Sequence, residues 1–506
     1  MRRFGCVAVV VAFALLLVAT GAQARTAYVT NKNSSTVTPI DVASGRPGTP
    51  IPVGTDPVGV AFTPDGRTAY VTGETSSTVT PIDVATGRPG TPIRVGGEPF
   101  GVAFTPDGRT AYVTNPSLGT VTPIDVATGR PGTPIRVSGE PFGVAFTPDG
   151  RTAYVTEGNA VTPIDVASGR AGTAIPVGSN PFGVAFTPDG KTAYVANQDS
   201  ATVTAIDVAT GSPGTPIPVG TVPQGVAFTP DGQTAYVTNE SSNTVTPIEV
   251  ATGRPGTPIT VGAEPVGVAF TPDGKTAYVA KRGSSTVTPI DVATGRPDTP
   301  IRVGDAPFGV AFVPNQAPAA RFSAAVGRAG SATRFDGSGS SDRDGSVARY
   351  GWDFGDGTTT TTTTPTVSHA YASAGSYTAT LTVTDNEGCS TRLVFTGQTA
   401  SCNGSSAARI ARIVSVAAAP LVAAAPRPAE CVVPSLHRKT LAQAETLLRR
   451  HHCGLGKVTR PRRHHRGRLV VSRQSLRSGS HHRGGTRIAI RLTYLTHRAP
   501  KPRSGR

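Results

Sequence analysis

Short apolar runs and turn-forming clusters alternate along residues 25–312 at a nearly constant interval. Thr-Ala-Tyr-Val recurs with its tyrosine at Tyr28, Tyr70, Tyr112, Tyr154, Tyr194, Tyr236 and Tyr278, spaced by 42, 42, 42, 40, 42 and 42 residues. Gly-Val-Ala-Phe recurs seven times, ending at Phe62, Phe104, Phe146, Phe186, Phe228, Phe270 and Phe312. In the unit Pro57 to Gly96, Gly59–Phe62 is a first β-rich run and Thr68–Thr72 a second. Thr63-Pro64-Asp65-Gly66 lies between them. Proline presets φ and glycine accepts a positive φ, so the pair reads as a hairpin. Ser77–Val84 is a third run and Thr91–Gly96 a fourth.

Four strands in about 42 residues match one blade of a β-propeller. Proline cannot donate to a ladder, so the fourth run, with pairs such as Pro50 and Pro52, is expected at the outer edge. The proline-free Gly-Val-Ala-Phe run fits the crowded axis. The repeat region begins at Arg25 with a second strand, and the missing first strand stands at the far end, Phe308–Phe312. One blade is therefore expected to take strands from both ends, closing a seven-bladed ring and removing two open edges. An open solenoid would need polar caps instead. The segments Tyr28–Asn31, Tyr112–Asn115 and Tyr236–Asn239 resemble the YVTN family of β-propeller repeats.

Flanking segments complete a mainly β chain. Arg2, Arg3, the apolar run Val7–Val18 and Ala22-Gln23-Ala24 read as a secretory signal over 1–24, with no membrane span after cleavage. Residues 313–320 read as a linker. Phe335–Ser338, Asp342-Arg343-Asp344-Gly345, Tyr350–Gly357, His369–Tyr371 and Leu381–Asp385 then follow in the order of a PKD domain, which this region resembles over 321–416. That resemblance implies an immunoglobulin-like β-sandwich with Trp352 in its core. An insert over Gly388–Ser405 would form a loop before a last strand at Ala408–Val416. Residues 417–430 are an Ala/Pro linker. In 431–493, Thr440 and Gln443 have capping-box spacing, and Leu441, Ala444, Leu447 and Leu448 share a helical face. This small α+β region resembles a PASTA domain, a family associated with bacterial cell-wall peptidoglycan. The Arg- and His-dense insert Arg460–Arg468 departs from the family pattern. Residues 494–506 are a basic tail.

Charge separates the modules. Residues 25–315 hold 18 basic and 23 acidic side chains, whereas 430–506 hold 19 and 2. The net charge of +16 is thus a property of the C-terminal module. Arg460, Arg462, Arg463, Arg466 and Arg468 are its polyanion-binding candidates. An anionic envelope polymer, peptidoglycan or another, is the expected partner. Nucleic acid is the rival, disfavoured by the export signal and by the lack of interleaved aromatics. Cys389, Cys402, Cys431 and Cys453 remain after signal removal. An even number in an exported chain suggests disulfides. Local pairs Cys389–Cys402 and Cys431–Cys453 fit the spacing, with the other two connectivities open.

No enzyme and no cofactor are expected. The repeats contain neither histidine nor cysteine, which removes the usual haem and copper ligands. Asp65, Asp107 and their equivalents recur with the turn and read as structural. A propeller lyase or lactonase is the alternative. Asp342 and Asp344 favour an Asx-type turn, with a Ca²⁺ site the other reading. Function is sought where the copies differ. Two loop sets are expected on one propeller face, offering Asp56, Glu98, Glu140 and Glu264 with Phe100, Phe142, Phe182 and Phe308 to a protein or glycan ligand. The overall expectation is a secreted, cell-wall-associated binding protein.

Overall fold

A computed structural model describes residues 26–420, 425, 427–462 and 467–495. The signal segment expected over 1–24 and most of the basic tail lie outside the described residues. The chain divides after Ala419 into two compact units.

In the first unit, residues 26–312 form seven antiparallel sheets, six built from one continuous repeat and one from the two ends of the region. The closure expected from the sequence is present. Thr26–Asn31 pairs with Pro307–Phe312, with Ala27 opposite Phe312 and Val29 opposite Val310. Each repeated residue has a role that explains its recurrence. The tyrosine of one blade packs on the phenylalanine of the next, as in Tyr70 on Phe104 at 4.9 Å between centroids, and Tyr278 on Phe312 at the seam at 5.1 Å. The glycine of Gly-Val-Ala-Phe allows neighbouring innermost strands to meet. A Cβ at Gly59, Gly143 or Gly309 would fall closer than 3.0 Å to a carbonyl oxygen of the next blade. The turn aspartate is internal to its hairpin: Asp65 accepts from the Thr63 hydroxyl at 2.6 Å and from the Arg67 N–H at 3.1 Å.

The outer strand differs from the expected single run. It is two short pieces, such as Arg88–Pro89 and Ile93–Arg94, both paired with the third strand Thr78–Asp83. Pro92 lies between the pieces, where no ladder donor is needed, and the break leaves a short, ragged edge.

Residues 313–320 are not a free linker. The Asn315 N–H donates to the Ser401 carbonyl at 3.0 Å, Asn403 N–H donates back to Asn315, and Ala319 and Ser341 exchange two bonds. Asn315 is buried, and its side-chain amide donates to Asp385 at 2.9 Å. Backbone polar groups in a buried segment need partners, and the sandwich supplies them. The sandwich packs the sheet 323–325, 332–336 and 366–370 against the sheet 359–362, 347–353, 375–385 and 409–416. Trp352 is 1% exposed at its centre, with Phe322, Phe335 and Leu381 around it. The Cys389–Cys402 disulfide ties the insert.

The second unit holds the helix Leu441–Arg450, capped by the reciprocal Thr440–Gln443 bonds. It packs on a sheet whose central strand is Arg487–Leu495. Leu448, Val471 and Ile488 share its core with the Cys431–Cys453 disulfide.

Candidate ligand face and axial channel

Both variable loop sets share one face of the propeller. Within a blade they are joined by backbone bonds, such as Glu74 N–H to the Asp56 carbonyl at 3.1 Å and Arg282 N–H to the Glu264 carbonyl at 2.9 Å. At the centre of this face the innermost strands begin. Phe100 meets Phe142, Phe182 and Phe308 edge-on at 5.5, 5.2 and 5.5 Å. Their mutual packing narrows the upper mouth of the axis. The four phenylalanines of the expected ligand face are thus brought together, although much of their surface is spent on each other. Phe308 is buried, while Phe100, Phe142 and Phe182 are half-buried.

The acidic candidates divide into two groups. Asp56 accepts from the Thr75 hydroxyl. Glu264 binds Arg282 at 3.0 Å, and Arg282 also binds Glu240, which accepts from Gln224. Lys32 and Glu74 form a further ion pair at 2.6 Å. On this arc the carboxylates are satisfied by the protein itself, which removes Asp56 and Glu264 as free ligand groups. Glu98 and Glu140 are exposed and have no partner among the described residues. Beside Glu98, Leu118 stands 50% exposed, and its side chain lies against Gly97.

Sequence reasoning missed the residue that follows Tyr-Val-Thr or Tyr-Val-Ala. Asn31, Asn115, Asn197 and Asn239 are buried there and tie the third strand, as in Asn239 to Thr246 at 2.9 Å. Glu157 and Lys281 replace asparagine at equally buried positions. Glu157 accepts from the Ser138 hydroxyl, the Gly139 N–H and Thr162. Lys281 donates to the Val261 carbonyl at 3.1 Å, and burial pulls its ammonium below its usual range. These substitutions are visible in an alignment of the repeats, but their burial is not.

Asp342 and Asp344 stand together beneath the propeller. The Asp342 carboxyl interacts with the Arg343 N–H and with the Asp344 carboxyl, and Asp344 Oδ2 accepts from the Gln316 N–H at 2.9 Å. Burial, then the charges of Asp344 and Asp385, push Asp342 up to about 7. Burial also raises Asp344. Two neighbouring carboxylates suit a hard cation as well as a turn. Among the described residues, however, no three His, Cys, Asp or Glu side chains cluster as a metal centre; Asp385 is engaged by Asn315, Glu387 and Cys389.

In the C-terminal unit, Arg460, Arg462 and Arg468 are exposed. Arg463 and Arg466 lie outside the described residues. Among the described residues, no helix is long and apolar enough to cross a membrane.

Comparison with known proteins agrees with these shapes. No curated protein matches the sequence. A protein of unknown function from Desulfotomaculum acetoxidans is 18% identical over 57% of this chain and 98% of its own, with a TM-score of 0.50. A candidate 6-phosphogluconolactonase from Bacteroides uniformis is 21% identical over 57% and 100%, also with a TM-score of 0.50. At such identities the likeness concerns the fold alone. Residues 315–398 match the PKD domain family. A PKD domain and disulfides are both typical of extracellular proteins, so this chain couples a propeller to a PKD domain of the kind found outside the cell.

Proposed function

We propose that this is an exported binding protein. The open propeller face captures a ligand that joins a cationic group to an apolar one. The observation that carries this reading is the sector around Glu98 and Glu140. Two carboxylates without partners among the described residues flank Phe100, Phe142 and the exposed Leu118, whereas the acids on the opposite arc are already engaged. A protein segment bearing lysine or arginine beside an aliphatic or aromatic residue fits this chemistry. A cationic glycan fits it less well because of the apolar centre. The basic C-terminal module, with its resemblance to PASTA domains, holds the protein to peptidoglycan or another anionic envelope polymer.

The alternative of a propeller lyase or lactonase has support from fold likeness only. The absence of histidine and cysteine from residues 25–312 and the use of the repeated aspartates in their own turns favour binding over chemistry.

The full-length protein, probed on an array of cationic and neutral peptides and glycans, tests the face. The double variant Glu98→Gln, Glu140→Gln is expected to lose most capture of cationic peptides, and Glu264→Gln to lose little. Equal capture by the double variant and the parent would show that the sector is not the site.

A further inference from the structure

The disulfide-tied insert enters the propeller axis. The innermost strands run from the ligand face towards the Thr-Pro-Asp-Gly turns, and at that far mouth residues 395–400 fill the centre. Phe146 N–H donates to the Gly397 carbonyl at 2.8 Å, Phe186 N–H to the Thr396 carbonyl at 3.0 Å, and Phe104 N–H to the Gln398 carbonyl at 3.5 Å. Phe62 N–H donates to the Thr399 hydroxyl at 3.3 Å. Four successive blades thus bind one short segment. Phe395 and Ala400 are buried in the same apolar cluster as Tyr112, Val144 and Phe146. Gly397 has φ +118°, and a Cβ there would meet the Ala145 methyl at 2.8 Å, so only glycine fits this closest approach.

We propose that the far mouth of the channel is a docking site for an extended peptide, occupied in cis by residues 395–400, and that the Cys389–Cys402 disulfide is the latch that keeps it occupied. The mouth offers backbone donors at fixed spacing and an apolar rim, the elements by which a groove recognises main chain rather than a particular side-chain sequence. The insert pairs only briefly with itself, Val394–Phe395 against Ala400–Cys402. Left open, it would lose much conformational freedom on seating. Closing a loop of this length removes that cost in advance and favours the seated state by about a hundredfold in the chain-entropy picture. Its base is also held from below. Asp385 accepts from the Cys389 N–H at 2.8 Å, and Ser390 donates to the Val383 carbonyl at 2.6 Å. Between Phe100 with its neighbours and the seated segment lies an axial cavity of about 120 Å³, reached by Gln398. The seated segment therefore narrows the axis and ties the insert to four blades of the propeller.

Hydrogen exchange on the full chain tests this. In the variant Cys389→Ser, Cys402→Ser, the amides of Phe104, Phe146 and Phe186 are expected to exchange about a hundredfold faster than in the parent. A synthetic peptide spanning residues 393–401 should restore their protection. Trp352, the only tryptophan, reports by fluorescence whether the sandwich stays folded. Gly397→Val, which leaves the disulfide intact, should expose the same amides by steric exclusion. Unchanged protection of these amides in both variants would overturn the proposal.

Discussion

Thr114 donates its hydroxyl to the carbonyl of Phe142, in the next blade, at 2.7 Å. The same oxygen accepts from the Gly101 N–H at 2.8 Å, so one side chain joins two innermost strands. Thr30, Thr72, Thr156 and Thr238 make the same bond to the following blade. Ala196 and Ala280 occupy the equivalent position in the other two blades and cannot make it. Thr114→Val should cost about 1 kcal/mol or somewhat more, because a buried carbonyl loses its donor. Ala196→Thr and Ala280→Thr should each add up to about 1 kcal/mol. Urea unfolding of the single variants checks both signs.

The seam between the two ends of the repeat region is packed like the other blade junctions. Phe312→Ala should therefore destabilise the propeller by about 3–5 kcal/mol, as should Phe146→Ala. A seam that was only loosely closed would tolerate Phe312→Ala with little loss. Gly309→Ala adds a methyl group against the Val58 carbonyl and should cost about 1–3 kcal/mol through overpacking. Thermal or denaturant midpoints distinguish these cases.

Stability should fall as pH rises through the range where Asp342 titrates. Its folded pKa, about 7, lies above the ordinary aspartate value of 3.8. Folding therefore favours the protonated form. That contribution is complete below about pH 4 and is lost as pH rises towards 7 and above. Asp344 shifts in the same direction. Asp342→Asn should flatten this part of the profile. Millimolar Ca²⁺ at pH 8 should restore the lost stability if the pair holds a cation. Trp352 fluorescence during unfolding follows the domain that carries the pair.

Retention on an anionic polymer should weaken steeply with salt, since exposed cations act through screened, long-range attraction. For the full-length protein on purified peptidoglycan, replacing Arg460, Arg462 and Arg468 with serine should lower retention and flatten its salt dependence. Stronger retention on DNA than on the wall polymer at physiological salt would favour the nucleic-acid reading instead.

Local chemistry was enough to settle the propeller from the sequence. Tyrosine, phenylalanine and glycine recur because every blade junction asks for the same ring contact and the same close strand approach, so periodicity announces the ring and its seam. Trp352, the Thr440–Gln443 cap and the two disulfide pairs were legible for the same reason: each depends on neighbours in sequence or on a strong residue preference. Tertiary structure decided what the varied positions do. Asp56 and Glu98 look equivalent in the repeats, yet one is satisfied by Thr75 and the other has no partner among the described residues. Residues 313–320 read as a linker because proline and polar residues suggest solvent, but pairing with residues 401–407 buries part of them. The seating of residues 395–400 in the axis could not be read at all. It depends on backbone donors contributed by four blades distant in sequence, and backbone groups leave no mark on residue identity.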